Sequence, residues 1–292
     1  MNSLLKPALL LLAVGLPLSA QAHKSFFVPS STVLSDSGHY ITIDAAVSND
    51  LFYFDHNPVR LDNLAIVAPD GSAVAPENVS TGKVRSTFDV LLNQEGTYKI
   101  VSASSGMMAS WDDNGQTKRW RGSAEAFKTE VPAGAKNLQA TLTANRLETF
   151  ITVGKPSASV FATTGVGLEL VPVTHPNDLV AGETASFKLL LDGKPAGDLK
   201  VTVVPGATRY RDQQNEITTA TDKDGLFKIT WPQAGMYWLN ATIGGNPGGP
   251  EGDKGDKDKA REAATKPARK GKAEAAPLPR RASYTATLEV LP

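Results

Sequence analysis

The sequence predicts an all-β protein built from two immunoglobulin-like β-sandwich domains in tandem. Short segments rich in Val, Ile, Leu and Thr alternate with Gly, Pro, Asn and Asp at close spacing, which is typical of antiparallel strands and tight turns. No long amphipathic helix interrupts the pattern. The 292 residues suffice for two domains that each bury a core. We therefore expect one sandwich over residues 23–156 and a second over residues 157–292.

The first domain is predicted to contain seven short strands, separated by turn signals such as Pro69-Asp70-Gly71. Residues 106–134 depart from this pattern and are interpreted as an insertion that covers one end of the sandwich. We expect a helical turn at residues 124–128, and Trp111, Trp120 and Phe127 as a lid over the core. The predicted strands cover residues 25–28, 40–46, 64–67, 86–91, 97–103, 139–143 and 147–152.

The second domain follows a boundary at residues 154–157 and repeats the β pattern. The turn signals at residues 191–195 and 222–225 favour hairpins. Residues 244–282 contain almost no large apolar side chain, so we expect a disordered charged loop before the last strand. Between Glu251 and Arg281 this stretch has ten Lys and Arg against six Asp and Glu, a net charge of +4. The predicted strands cover residues 168–172, 184–191, 200–205, 217–221, 226–230, 235–243 and 283–290.

Residues 1–22 have the pattern of a cleavable signal peptide. Lys6 precedes an apolar stretch at residues 8–16, and the small-x-small end is Ala20-Gln21-Ala22. The apolar stretch is shorter than the roughly 20 residues that a membrane-spanning helix needs, so the mature chain is expected not to span a membrane. We expect export to a bacterial periplasm, with secretion into the medium as the alternative.

The composition excludes several kinds of chemistry. With no Cys, the chain lacks disulfides, thiolate metal sites and a thiol nucleophile. The 30 Lys and Arg balance 30 Asp and Glu, which argues against nucleic acid as a partner, because phosphate binding needs surplus positive charge. The motifs of serine hydrolases, zinc proteases and phosphate-binding loops are missing from the sequence. We therefore expect a binding protein and not an enzyme.

The first candidate metal ligand is His23, which becomes the amino-terminal residue if cleavage follows Ala22. An amino-terminal His offers its α-amine and imidazole Nδ1 as a chelating pair. The ordinary pKa of a free α-amine is about 7.7–8.0, so a metal ion displaces its proton at neutral pH. Copper, nickel and zinc favour such nitrogen donors. The alternative is that His23 only begins the first strand.

The second candidate region is residues 48–58, where three aromatic residues stand beside two carboxylates and an imidazole. His56 is the best second ligand and Asp55 a supporting carboxylate, since a metal-binding His often has a carboxylate nearby. Extended alternation would place Phe52, Phe54 and His56 on one side of the chain. The alternative is a loop whose aromatic side chains cap the sandwich. His39 and His175 are secondary candidates, for which we favour structural roles in a turn and at the entrance of the second domain.

Seven segments of this sequence belong together. They are GLELVPVTHPNDL at 167–179, GATRYR at 206–211, WPQAGMYW at 231–238, SNDLFYFDH at 48–56, RWRG at 119–122, NRLETF at 145–150 and the Ala22-His23 start. These segments resemble an uncharacterised family of bacterial periplasmic proteins, a domain of unknown function whose members are themselves similar to the periplasmic component of nickel/cobalt uptake systems. The resemblance covers nearly all of the mature chain except the charged stretch, and it implies an exported two-part β protein associated with metal uptake.

Three functional hypotheses follow. The first is a periplasmic protein that binds a divalent transition metal ion (Ni, Co, Cu or Zn) or a small metal complex and exchanges it with an envelope transporter or receptor. The second is an immunoglobulin-like scaffold or adaptor for such a transporter, without a metal. The third is an oxidative copper enzyme acting on polysaccharide, for which Trp111 and Trp120 are the obvious candidates for an exposed binding face.

Overall fold

The computed structural model describes residues 23–244 and 278–292. In the first half, the described chain forms eleven strands and one α-helix. They are β1 Lys24–Pro29, β2 Val33–Leu34, β3 His39–Ser48, β4 Asn57–Pro58, β5 Leu64–Val67, β6 Ala73–Val74, β7 Glu77–Thr81, β8 Ser86–Leu92, β9 Gly96–Asp113, β10 Gln116–Gly122, α1 Ala124–Glu130 and β11 Lys136–Val153.

Eight further strands and two short 3-10 turns follow in the second half. The strands are β12 Leu168–Pro172, β13 Thr184–Leu191, β14 Lys194–Pro195, β15 Lys200–Pro205, β16 Ile217–Ala220, β17 Leu226–Thr230, β18 Gly235–Ile243 and β19 Arg280–Val290, and the turns are Ser159–Phe161 and Thr208–Tyr210.

These strands form two immunoglobulin-like sandwiches that share one sheet. The first outer sheet has the order β1-β3-β8-β7, with β4 beside β3, and the second has the order β12-β13-β14, with β17 beside β13. The shared sheet runs β16-β15-β18-β19-β11-β9-β5-β6 through both halves of the chain, with β10 and β2 at its sides. The predicted all-β class and tandem sandwiches are thereby confirmed.

The sheet is continuous because β11 is paired on both edges. Along its whole length β11 pairs antiparallel with β9, and from Leu142 to Thr149 it pairs in parallel with β19. Successive side chains of a strand point to opposite faces. Leu147 and Ile151 therefore enter the core of the first sandwich, while Ala144 and Phe150 enter the core of the second.

The signal-peptide prediction falls on residues 1–22, which lie outside the described residues, and so does most of the predicted charged loop, residues 245–277. The predicted end of that loop at residue 282 is wrong. Strand β19 begins at Arg280, because Arg280 pairs with Leu142 of β11 and the backbone N–H of Leu142 bonds to Pro279 O. Among the described residues, no helix is long and apolar enough to cross a membrane.

The insertion at residues 106–134 is a three-stranded arm and not a lid over the first core. Strand β9 continues through it to Asp113, and β10 pairs back onto β9. The predicted helical turn is confirmed as α1, which Ser123 caps through its side-chain oxygen. Trp111 packs with Ala109 and Val131 in a small separate cluster, with Trp120 and Phe127 against it, so Trp111 and Trp120 do not form an exposed binding face.

A buried ionic cluster lies where β11, β12 and β19 meet. Arg146 Nη1 donates to Glu148 Oε1 at 3.0 Å, and Arg146 Nη2 lies 3.1 Å from Glu169 Oε1. The backbone N–H groups of Thr164 and Gly165 also donate to Glu169. The Tyr284 hydroxyl donates to Glu148 Oε2 at 2.8 Å, and burial raises the pKa of Tyr284 well above its ordinary value. The Arg146 guanidinium thus forms ion pairs with two buried carboxylates, those of Glu148 and Glu169.

We expect Arg146→Ala to lower the free energy of unfolding by about 3–5 kcal/mol, because it leaves two buried carboxylates without their cation. The matched control is Arg60→Ala. Arg60 pairs with Asp62 on the surface, where its side chain is 86% exposed, so its loss is expected to cost less than about 1 kcal/mol. Urea denaturation followed by circular dichroism measures both values. Equal losses in the two variants would contradict the proposed role of the cluster.

Candidate functional site

The pairing register brings His23 and His56 to the same end of β3. Lys24 of β1 stands opposite Ser48 on one edge of β3, and Asn57 of β4 stands opposite Val47 on the other edge. His23 directly precedes β1 and His56 directly precedes β4. Two strands that flank a third are roughly 9–10 Å apart. The two side chains therefore need only lean across the end of β3 to meet.

The two imidazole rings are stacked face to face. Their centroids are 3.8 Å apart and their planes differ by 9°. Both residues are exposed, so a solute reaches the pair from solvent. Imidazole lone pairs lie in the ring plane. In these nearly parallel rings the lone pairs do not converge on one point, and a rotation about the side-chain torsions is needed before both rings bind one ion.

Asp55 lies beside this pair but has its own partner. The Ser48 hydroxyl donates to Asp55 Oδ1, and Ser48 itself is buried at the end of β3. Asp55 therefore fixes the chain just before His56. Among residues 23–244 and 278–292, no group of three or more His, Asp or Glu side chains is arranged to hold a metal ion.

The loop that carries His56 is docked on the second sandwich. Leu51 is fully buried, and its backbone N–H donates to Thr208 Oγ1 at 3.0 Å. Phe52 has a φ of +63°, a left-handed conformation that is unusual for a bulky residue and needs support from its surroundings. That support comes from Phe26, whose ring meets the Phe52 ring edge to face at 5.3 Å, and from Gly206.

Gly206 is required for this docking. A Cβ at position 206 would stand 2.9 Å from Cδ2 of Phe52 and 3.1 Å from the backbone oxygen of Met236. The predicted extended alternation along residues 52–56 is wrong, because Phe52 is left-handed and residues 51–52 form a turn. Phe52 and Phe54 nevertheless both contact Phe26, while Tyr53 contacts Tyr210. A cluster formed by Phe26, Ala46, Leu51, Val204 and Trp238 fills the space between the two units.

Cationic side chains cover the aromatic rings around the site. Arg209 lies over the Tyr53 ring at 4.9 Å, and Arg85 lies over the Phe54 ring at 4.7 Å. Lys24 Nζ lies 5.8 Å from the Trp238 ring and donates to Gln214 Oε1. The Tyr53 and Tyr210 hydroxyls are 2.5 Å apart, and this hydrogen bond raises the pKa of Tyr53 above its ordinary value.

The two secondary His candidates lie elsewhere. His39 is the first residue of β3 and pairs with Leu92, so it stands nine residues from Ser48 along an extended strand, about 30 Å away. His175 is half-buried at the entrance of the second unit. Its Nδ1 accepts from the backbone N–H of Asn177, and its Nε2 lies 2.9 Å from Thr97 Oγ1 and 3.3 Å from Ser157 O. The favoured structural role of His175 agrees with these contacts.

The residues on the second unit were not predicted as part of the site. Thr208, Arg209 and Tyr210 form a 3-10 turn whose preceding residue, Ala207, also has a positive φ of 59°. Arg211 fixes the base of this segment by donating to the carbonyl oxygens of Pro205, Gly206 and Gln214. The signal for this region was the resemblance of residues 206–211 to the periplasmic family.

The comparisons with known proteins give one family and a set of distant structural matches, of which three are described below. The family model described as "Domain of unknown function (DUF4198)" matches residues 20–245. No curated protein matches the sequence.

The structural matches are weak. The D0-D1 domain of intimin is 11% identical with a TM-score of 0.21, covering 91% of this chain and 97% of that chain. A marsupial T cell receptor is 10% identical with a TM-score of 0.18, and the match covers 77% of this chain and 69% of that chain. Latent PorU from Porphyromonas gingivalis is 13% identical with a TM-score of 0.17, and the match covers 80% of this chain and 20% of that chain. TM-scores of this size carry no argument about function.

We expect Gly206→Ala to lower the free energy of unfolding by about 1–3 kcal/mol, because the new methyl group overlaps the Phe52 ring and a backbone oxygen. The loop before His56 should also become more open to limited proteolysis. Gly134→Ala is the control, since a Cβ at position 134 meets no atom within 4 Å. If both variants have the same free energy of unfolding and the same rate of limited proteolysis as the unmodified protein, Gly206 is not required for the docking of this loop.

Stability should fall as the pH drops below about 6.5, in part through His175. Burial lowers the pKa of His175 below its ordinary value of 6.5. As the pH falls, the unfolded chain therefore protonates His175 before the folded protein does. The contribution of His175 to the free energy of unfolding is complete above about pH 6.5 and is lost as the pH falls toward the pKa of His175 in the folded protein. His175→Gln should lower stability at neutral pH and flatten this slope. His39→Gln is the control, and the assignment is wrong if both variants keep the full slope in urea titrations.

Proposed function

The chain belongs to the DUF4198 family of unknown function, and we propose that it is an exported metal-handling protein that binds a divalent transition metal ion at its mature amino terminus. The observation that carries this proposal is the stacking of His23 on His56, at 3.8 Å between ring centroids. Two imidazoles that are 33 positions apart in the sequence meet at the surface, where the signal-peptide pattern ends.

Cleavage after Ala22 would add a third nitrogen donor to this pair. The freed α-amine and Nδ1 of His23 belong to one residue and suit chelation of a single ion, and a turn of the His56 ring supplies the third nitrogen. Nickel, cobalt, copper and zinc all accept imidazole and amine ligands. Asp55, bonded to Ser48, would orient His56 and add negative charge near the ion without being a direct ligand.

The surroundings suit a site that takes up and releases its ion. Both rings are exposed, so the ion enters from solvent and a partner protein has access to it. The backbone that carries the two His residues is also well anchored, because buried Phe26 fixes strand β1 and buried Leu51 fixes the loop before His56. We propose that an envelope transporter or receptor exchanges the ion or a small metal complex with this site. The resemblance to periplasmic components of nickel/cobalt uptake systems supports the same role.

Isothermal titration with Ni²⁺, Co²⁺, Cu²⁺ and Zn²⁺ tests the proposal on protein that begins at His23. We expect one ion per chain for at least one of these metals. His23→Ala removes the imidazole of the chelating pair, and His56→Ala removes the second ring. Each change should weaken binding by at least about tenfold, the effect of losing even an outer-shell partner of a metal ligand.

The matched control is His39→Ala, which removes an exposed imidazole about 30 Å away and should leave the affinity unchanged. The proposal fails if none of the four ions binds more tightly than millimolar. It fails equally if His39→Ala weakens binding as much as His56→Ala, because the ions would then bind His side chains without regard to the pair.

A further inference from the structure

Tyr53 and Tyr210 form a contact between two phenols on the protein surface. Their hydroxyl oxygens are 2.5 Å apart, and their ring centroids are 6.0 Å apart with planes inclined at 72°. Each ortho carbon is two bonds from its phenol oxygen. A small rotation of either ring therefore brings an ortho carbon of one phenol against an ortho carbon of the other.

The environment of this pair differs from that of the other four Tyr residues, all of which lie in the described part of the chain. Tyr98, Tyr237 and Tyr284 are buried, with 0–1% exposure. Tyr40 is 54% exposed, but its hydroxyl bonds to a carboxylate, Glu77. Tyr210 is 76% exposed, so an oxidant in solution reaches its ring directly.

The contact also joins two separate parts of the molecule. Tyr53 belongs to the loop that carries His56, and Tyr210 belongs to the 3-10 turn of the second unit, 157 residues later. The chain has no Cys, so a disulfide cannot tie this loop down. A bond between the two phenols would hold the strained Phe52 turn closed.

We infer that Tyr53 and Tyr210 are a modification site, at which a one-electron oxidant couples the two rings into an intramolecular dityrosine. Each phenol loses one electron and one proton to give a phenoxyl radical. The two radicals form a bond between ortho carbons, and each ring then moves its ortho hydrogen to oxygen, which restores both phenols. Overall, the pair of rings loses two hydrogen atoms, which leave as two protons and two electrons. The electrons pass to the oxidant, of the peroxide or persulfate class.

The test uses protein that begins at His23, kept free of metal by a chelator. Photo-oxidation with tris(bipyridine)ruthenium(II) and persulfate supplies the oxidant. We expect a monomeric product lighter by two hydrogen atoms, with dityrosine fluorescence and a cross-linked peptide that joins residues 53 and 210 in mass spectra. Tyr53→Phe and Tyr210→Phe should each abolish this product, because a ring without its hydroxyl gives no phenoxyl radical.

Tyr40→Phe is the matched control, since it removes an exposed phenol that has no Tyr partner in the described chain. This variant should give the same product as the unmodified protein. The inference is overturned if no intramolecular product forms, if the cross-link joins other residues or two chains, or if Tyr40→Phe reduces its yield as much as Tyr53→Phe. Thermal unfolding of the variants verifies that each is folded. No metal ion bound at His23 or His56 is involved, so failure here leaves the metal proposal standing.

Discussion

The double pairing of β11 is the constraint on which the rest of the structure depends. This single strand of 18 residues gives one face to each core and has a partner strand on each edge. Its polar residues Arg146 and Glu148 face the second unit, where Glu169, Thr164 and Tyr284 supply partners that offset the cost of their burial. Arg146 Nε has no hydrogen-bond partner among the described residues. The two sandwiches are therefore joined by a shared hydrogen-bonded sheet and a buried ionic cluster, as well as by apolar contact.

The candidate site depends on the same junction. Strand β1 buries Phe27 in the first core and Phe26 against Val204 and Trp238 of the second unit, so the residue before β1 has a fixed position. Trp238 Nε1 donates to Ser25 O and adds a polar contact close to His23. On the other side of β3, the loop before His56 is held by residues 206–210. Each imidazole thus projects from backbone that both units support.

Much of the strand content followed from the sequence because most strands alternate cleanly and end at Gly, Pro or Asp. Strands β5, β12, β13, β15, β17 and β18 have the predicted bounds. Strand β11 was predicted as two strands, residues 139–143 and 147–152, with polar Asn145 and Arg146 in the gap between them. The local sequence pattern does not reveal that Glu169 pairs with Arg146 or that Tyr284 donates a hydrogen bond to Glu148, because both partners are distant in sequence. The arm was misjudged for a similar reason, because its strands are mostly exposed and carry few apolar side chains.

For the candidate site, the signal-peptide end and the aromatic loop at residues 48–58 pointed to the two imidazoles that stack in the structure. The sequence did not indicate the role of the second unit. Thr208 and Tyr210 meet Leu51 and Tyr53 across 157 residues, and contacts of that range follow from sheet topology and not from spacing. Gly206 likewise has a purely steric role, which becomes visible only when Phe52 lies against it.

The parallel pairing of β11 with β19 also sets the order in which the molecule is completed. Thr149 bonds to the carbonyl of Thr287, a residue 138 positions later and close to the carboxyl end of the chain. During synthesis from the amino terminus, β11 has one open edge, and Arg146 and Glu148 lack Tyr284, until the last strand emerges. Contacts of such long range slow folding. Assembly of the shared sheet therefore waits until β19 has been synthesised, so the edge that joins the two sandwiches is completed long after β11 itself.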